Sequence, residues 1–294
     1  MTDADDVGPN APSNITSLRA RLRNHARDVR QVETRVQRRL AALVINEVFL
    51  GADVGIDGPP ILVKGGTAID LRRGMAPVRL SKDFDAAVRG DIDVFVAQAR
   101  DLLAEGWCGF TGRMTRESEI EVPGMVVRPR RFEVKLEYRG KPFVTVPVEL
   151  SPAEGGTGDE HDQFVVNEYD SIGLTPRGPV HCLSLRYQIA QTIHACTDPL
   201  DGLKDNDRAR DLVDLQLLWL VVDDSQIASI RAACIEIFAS RRRHEWAPTV
   251  RVWPAWPRLY AAASTSFGAE VLPDVRRAAD WLEGFIGVID ASTS

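Results

Sequence analysis

The strongest constraint on this chain is a change in the period of its apolar residues partway along. Between residues 61 and 166 strand patterns dominate. FVTVPVEL alternates through Val144, Val146 and Val148, and ILVKGG is a short apolar run that stops at two glycines. From Leu183 onward the apolar residues recur at threes and fours through LSLRYQIAQTIHACT, DRARDLVDLQLLWLVV, SQIASIRAACIEIFASRR and DVRRAADWLEGFIGVID. An α+β chain is predicted, with a sheet and its helices first and a helical lobe second, the boundary falling near residues 176–179. Within the first part, VRLSKDFDAAV reads as a strand, residues 94–104 as a helix, and MVVRPRRFEVKLEY, its continuation and FVTVPVEL as three further strands. The sheet is predicted to end near Val166.

Ahead of the sheet, residues 15–50 carry Leu18, Leu22, Val29, Val32, Val36, Leu40 and Leu43 at helical spacing, which predicts two consecutive helices. Their other faces hold Arg19, Arg21, Arg23, Arg27, Arg30, Arg35, Arg38 and Arg39, suited either to RNA phosphates or to a solvated face. The opening MTDADDVGPNAPSN is acidic and polar, so residues 1–14 are expected to form a disordered tail and not a signal peptide. Three tryptophans, Trp246, Trp253 and Trp256, stand among prolines between the last two helical segments, a composition of core more than of RNA-stacking surface.

A chain of 294 residues with 44% hydrophobic side chains can bury a full core, and two domains are expected, 15–178 and 179–294. The four cysteines lack the paired spacing of a zinc site or a disulfide framework, which points to a reducing compartment. No apolar run reaches membrane-spanning length, because residues 40–50 include Asn46 and Glu47. A cytoplasmic protein without membrane contact is expected. The net charge of −6 excludes a general nucleic-acid coat, so RNA would have to be met by local basic patches.

The chemistry is concentrated in residues 64–85, KGGTAIDLRRGMAPVRLSKDFD. Two glycines closing a strand let the backbone approach a phosphate, and the amides opening the next helix give it a positive partner. Asp83 and Asp85, one residue apart on a strand, project to one face and can grip the same divalent ions. Glu149, at the end of FVTVPVEL, is placed to complete the set from a neighbouring strand. Ser81 shares the face of Asp83 and could contact a phosphate or be modified.

Glycine turn, helix, S-x-D-x-D and then a distant strand carboxylate resemble the nucleotidyltransferase superfamily typified by polymerase beta. More specifically, GGTAIDLRRG…RLSKDFD together with QIAQTIHACTDP and NDRARDLVDLQLL resembles the AbiEii/AbiGii family of nucleotidyltransferase toxins and its MenT-like mycobacterial branch. The resemblance implies a bilobed protein with a polymerase-beta-like sheet and a C-terminal helical lobe. It implies a toxin of a toxin–antitoxin pair, an enzyme of the EC 2.7.7 type, that moves a nucleoside monophosphate from an NTP to the 3′ end of tRNA and so blocks translation. The cofactor would be two Mg²⁺ ions, the partners tRNA and a cognate antitoxin, and the state a monomer. A protein acceptor, as in an AMPylator, or a non-catalytic nucleotide-binding regulator are the other readings.

By resemblance, the metal ligands fall on Asp83, Asp85 and Glu149, and the late acidic motif on Asp211 and Asp214, which lie on one helical face as a base, as acceptor-orienting groups or simply as a solvated edge. Gly65, Gly66 and Thr67 would cradle the triphosphate, with Lys64, Ser81 or Arg72 adding contacts. Where the family usually carries a lysine this chain has Thr192, so either Lys204, Arg208 or Arg210 supplies the missing charge or phosphate is held more weakly. His194 beside it reads as a core residue. RNA would be met by Arg128, Arg130 and Arg131 or by Arg241, Arg242 and Arg243.

Overall fold

The computed structural model describes residues 10–74, 76, 81–121, 128–200 and 205–292. Chain contacts divide it into two units: one comprises Met1–Ala68, Leu80–Ala153 and His161–Cys182, the other Ile69–Arg79, Glu154–Glu160 and Leu183–Ser294.

The first unit carries a seven-stranded sheet. Its strands are β1 (Ile61–Lys64), β2 (Phe84–Val88), β3 (Phe110–Glu119), β4 (Arg130–Tyr138), β5 (Lys141–Pro152), β6 (His161–Phe164) and β7 (Val180–Leu183), in the order β3-β4-β5-β2-β1-β7-β6. β2 lies parallel to β5 and antiparallel to β1, and β1 lies parallel to β7. The sheet therefore does not end near Val166 as the sequence suggested. VHCL returns as β7 beside β1, a strand too short to show a period. The polar β3 also went unread, because apolar alternation is absent from FTGRMTRESE, whose last four residues are exposed.

Three helices, α1 (Ile15–Asp28), α2 (Glu33–Phe49) and α4 (Ile92–Glu105), pack on one another and on β3 and β5. Asn14 caps α1, its side chain accepting from the Ser17 amide, and Asp91 caps α4 through the amides of Asp93 and Val94. Pro12 is buried, and its carbonyl accepts hydrogen bonds from the Tyr138 hydroxyl at 2.5 Å and from Arg139 at 3.1 Å. Residues 1–9 of the sequence-defined tail lie outside the described residues.

Period-two alternation sorts the sheet into two faces. One rung aligns Phe84, Val148 and Phe132 across β2, β5 and β4, all buried, and Phe49 of α2 meets Phe84 and Phe95 edge-on at 6.1 and 5.3 Å. Each such aromatic contributes about 1.5–3 kcal/mol by leaving water. The next rung points the other way, and it is polar. The expected alternation of Val144 breaks at a register shift opposite Leu136 and Glu137, so that Phe143 is buried and the regular inward series begins at Val146.

The second unit is helical, with α5 (Leu185–Thr197), α6 (Ala209–Trp219), α7 (Ile227–Arg241), α8 (Trp256–Ser264) and α9 (Val275–Ala291) around one apolar core. Trp256 and Trp253 are buried in it and Trp246 packs against it, as core residues. The indole of Trp256 donates to the Asn206 carbonyl at 2.7 Å. All four cysteines are buried, and none of them forms a disulfide among the described residues. Among the described residues no helix is long and apolar enough to cross a membrane.

Candidate active site

The polar rung runs across four adjacent strands. Lys64 of β1 is the register partner of Asp85 on β2, Asp85 is the partner of Glu149 on β5, and Glu149 is the partner of Arg131 on β4. Partners in register share a face of the sheet. The rung thus reads positive, negative, negative, positive. Asp83 sits one residue before β2, and with Arg131, Pro147, Val148 and Glu149 it lines a cleft of about 320 Å³.

Glu149 and Arg131 are joined, with the guanidinium donating to Oε2 at 2.7 Å. That bond pushes Arg131 above its already high pKa; attraction to Glu149, and more weakly to Asp83 and Asp85, acts in the same direction against partial burial. Among the described residues no three His, Cys, Asp or Glu side chains are already gathered around a metal position; Glu149 is turned onto Arg131 instead. At the other end of the rung, Lys64 donates from Nζ to Ser151 Oγ at 2.7 Å, two residues beyond Glu149 on the same face.

The glycines are required where they stand. Gly65 has φ +62, and a Cβ there would lie 2.4 Å from Asp85 Oδ2. A Cβ on Gly66 would lie 2.9 Å from the Cβ of Ser81. Gly65 opens α3 (Gly65–Arg73), so the strand-to-helix turn presses directly against the carboxylate strand. Ser81 Oγ donates to the Asp83 carbonyl at 2.9 Å, and Thr67 Oγ1 reaches the same carbonyl at 3.5 Å. Both hydroxyls, expected at phosphate, hold the bend that aims Asp83. Arg38 of α2 also touches this bend, donating to the Ser81 carbonyl at 3.4 Å.

The remaining sequence-selected residues belong to the helical unit. Asp211 and Asp214 are on α6, the first half-buried and the second buried. Thr192 Oγ1 donates to the Gln188 carbonyl one turn back, at 2.6 Å. Arg208 is exposed at the start of α6, Arg210 is exposed two residues on, and Lys204 lies outside the described residues. Arg72 donates to Gln188 Oε1 at 3.1 Å and to the Leu183 carbonyl. His194 is buried, as expected of a core residue, but its Nε2 has no hydrogen-bond partner among the described residues. Burial first, then Arg241 and His244, push its pKa down to about 3.

Most of the arginines offered for RNA are engaged within the protein. Arg130 pairs with Asp93 at 2.5 Å and Glu119 at 3.2 Å, Arg128 with Glu119 at 3.1 Å, Arg241 with Glu154, and Arg243 with Asp198 at 3.4 Å. Arg131 belongs to the carboxylate rung. Sequence reasoning placed it in a basic patch because register across β4 and β5 cannot be read from either strand alone.

Comparison with known proteins follows the same outline. MenT4, a nucleotidyltransferase toxin from Mycobacterium tuberculosis H37Rv, has a similar fold, with a TM-score of 0.52 at 17% identity over 92% of this chain and 98% of its own. The antibiotic-resistance factor ANT(2'')-Ia is 18% identical over 70% of this chain and 96% of its own, with a TM-score of 0.38. No curated protein matches the chain. The model of the family described as nucleotidyl transferase AbiEii toxin, type IV toxin–antitoxin system, matches residues 49–283. The chain therefore belongs to the AbiEii nucleotidyltransferase toxins of type IV toxin–antitoxin systems, and it is a nucleotidyltransferase.

Proposed function

We propose that the chain moves a nucleoside monophosphate from an NTP to the 3′ end of tRNA, using divalent ions held by Asp83, Asp85 and Glu149. The observation that carries this is the rung itself: two carboxylates in register on β2 and β5, with a glycine turn packed to within a Cβ of one of them. Oxygen-only donors facing a solvent-open cleft suit Mg²⁺, which keeps several waters and takes few protein ligands. The donor set fits once Glu149 turns from Arg131 toward the two aspartates.

A pair of Mg²⁺ ions bound there would supply charge neutralisation at the triphosphate and a lowered pKa for the acceptor hydroxyl. The protein's own part is placement. Gly65 and Gly66 let the start of α3 pack against Asp85 and Ser81, so that its backbone amides would meet phosphate oxygens beside the carboxylates. Ser81 and Thr67 fix the Asp83 carbonyl, so the neighbouring carboxylate is aimed before substrate arrives. The acceptor hydroxyl attacks the α-phosphorus in line, its bond to the nucleotide forms as the α–β bridge breaks, and pyrophosphate leaves. We assign the transfer to residues 15–178 and the helical domain to 179–294, with the protein acting as a monomer under the control of its antitoxin.

The test is incubation with total tRNA, Mg²⁺ and each α-³²P-labelled NTP in turn, with Asp83→Ala beside the unaltered chain. Label on tRNA that disappears in the variant is expected. Label on protein alone would replace the acceptor, and equal label in both preparations would remove Asp83 from the reaction.

A further inference from the structure

We propose that Arg131 is a built-in counter-ion of the carboxylate centre, holding Glu149 until a divalent ion takes its place, and so sets the ion concentration at which the centre assembles. The inference rests on the reading of Glu149 as a metal ligand.

Three observations and one electrostatic consequence carry it. Arg131 and Glu149 are direct register partners on adjacent strands, so the guanidinium reaches the carboxylate without distorting the backbone. Its nitrogen lies 2.7 Å from Oε2, the distance of a charge-assisted hydrogen bond. A divalent ion bound to the same carboxylate at about 2.1 Å would meet that guanidinium as a second cation in one small site. Asp83 and Asp85 also lie within the field of Arg131, so its charge serves the whole centre.

Its neighbour shows what a structural arginine in this strand looks like. The Arg130 side chain is 12% exposed and clamped between Asp93 and Glu119. The Arg131 side chain is 61% exposed, its Glu149 partner is 35% exposed, and among the described residues that is the one ion pair Arg131 makes. An exposed pair of this kind is weak, and a divalent ion overcomes it readily. Without Arg131, the metal-free chain would present Asp85 and Glu149 in the rung and Asp83 across the cleft from Glu149, with a single cation, Lys64, in the rung. With it, the rung is balanced before any ion arrives.

The experiment is a Mn²⁺ titration of the full, nucleotide-free chain followed by electron paramagnetic resonance, Mn²⁺ being a carboxylate-seeking stand-in for Mg²⁺. Arg131→Gln is expected to bind Mn²⁺ on the order of tenfold more tightly than the unaltered chain, as removal of one cation a few ångströms from the ion implies. Arg131→Lys, which keeps the charge, is expected to stay within about threefold. Asp85→Asn is expected to lose the site. Circular dichroism checks the fold, and Arg131→Met gives the same reading should the glutamine variant fail to fold.

Loss of the site in Asp85→Asn with unchanged or weaker binding in Arg131→Gln overturns the role of Arg131 and leaves the metal reading standing. Equal binding in Asp85→Asn and the unaltered chain removes the metal reading and this inference with it. Weaker tRNA binding by Arg131→Gln at unchanged Mn²⁺ affinity would return Arg131 to RNA contact and also overturn the proposal.

Discussion

Replacing Gly65 with alanine tests the packing of the glycine turn on the carboxylate strand. Two penalties apply. At φ +62 an L side chain costs about 1–2 kcal/mol in any surroundings. In addition, the new Cβ would stand 2.4 Å from Asp85 Oδ2, and restoring an ordinary contact moves that carboxylate by roughly 1 Å. A misplacement of that size at a reacting centre costs on the order of 10²-fold in rate. Gly74→Ala is the matched control, because Gly74 has φ +57 with no described residue within 4 Å of the added Cβ. Both variants should lose a similar few degrees in melting temperature, while only Gly65→Ala loses transfer rate, measured as initial incorporation from α-labelled NTP at saturating Mg²⁺. Rates for the two variants within threefold of each other would refute the claim that Gly65 is kept for Asp85 and leave only its backbone conformation to explain it.

Three further outcomes are expected. Glu149→Gln should abolish incorporation by at least about 10³-fold with unchanged circular dichroism, since a neutral amide cannot share a divalent ion with two aspartates; retained activity would remove Glu149 from the ligand set. His194 is held neutral, with its folded pKa near 3 against an unfolded value of about 6.5, so its contribution is intact above pH 6.5 and drains as the pH falls toward 3. At pH 5 the loss should be about 1–2 kcal/mol by urea denaturation, and a His194→Gln chain with the same loss would show that other groups carry it. Glu236→Ala should lower the melting temperature by several degrees and leave Mn²⁺ affinity unchanged, because Glu236 ties the Gly156 amide at 2.6 Å and the Tyr187 hydroxyl at 2.7 Å within the helical unit.

What was legible in the sequence follows from how far each signal reaches along the chain. Asp83, Asp85 and the two glycines sit within one short segment, and Glu149 lies in a strand whose alternation declares its faces, so the candidate centre could be assembled on paper. Arg131 could not, since its partnership depends on the register of β4 against β5 and a slip of one residue would send it to the opposite face. β6 and β7, four residues each, are too short to establish a period, and β3 carries charge where a pattern would show. α8 was hidden by prolines: WPAWP reads as irregular, yet Pro257 sits in the first turn, where a missing amide hydrogen costs nothing. Ser81 and Thr67 were read from the sequence as phosphate contacts, and only coordinates reveal that both hydroxyls meet the Asp83 backbone carbonyl.

The parallel pairing of β2 with β5 has a consequence in time. Between Asp85 and Glu149 the chain runs through α4, β3 and β4, so no local hairpin can bring the two carboxylates together. Long-range parallel pairing pays its loop-closure entropy before it gains contacts, which places it among the slow events of folding. β1, the turn at Gly65 and β2 can form early from neighbouring sequence, whereas the partner strand emerges later from the ribosome and has to dock alongside. In a toxin of this family the proposed centre is thereby completed only when the sheet is closed, and a chain interrupted before β5 would carry half of it.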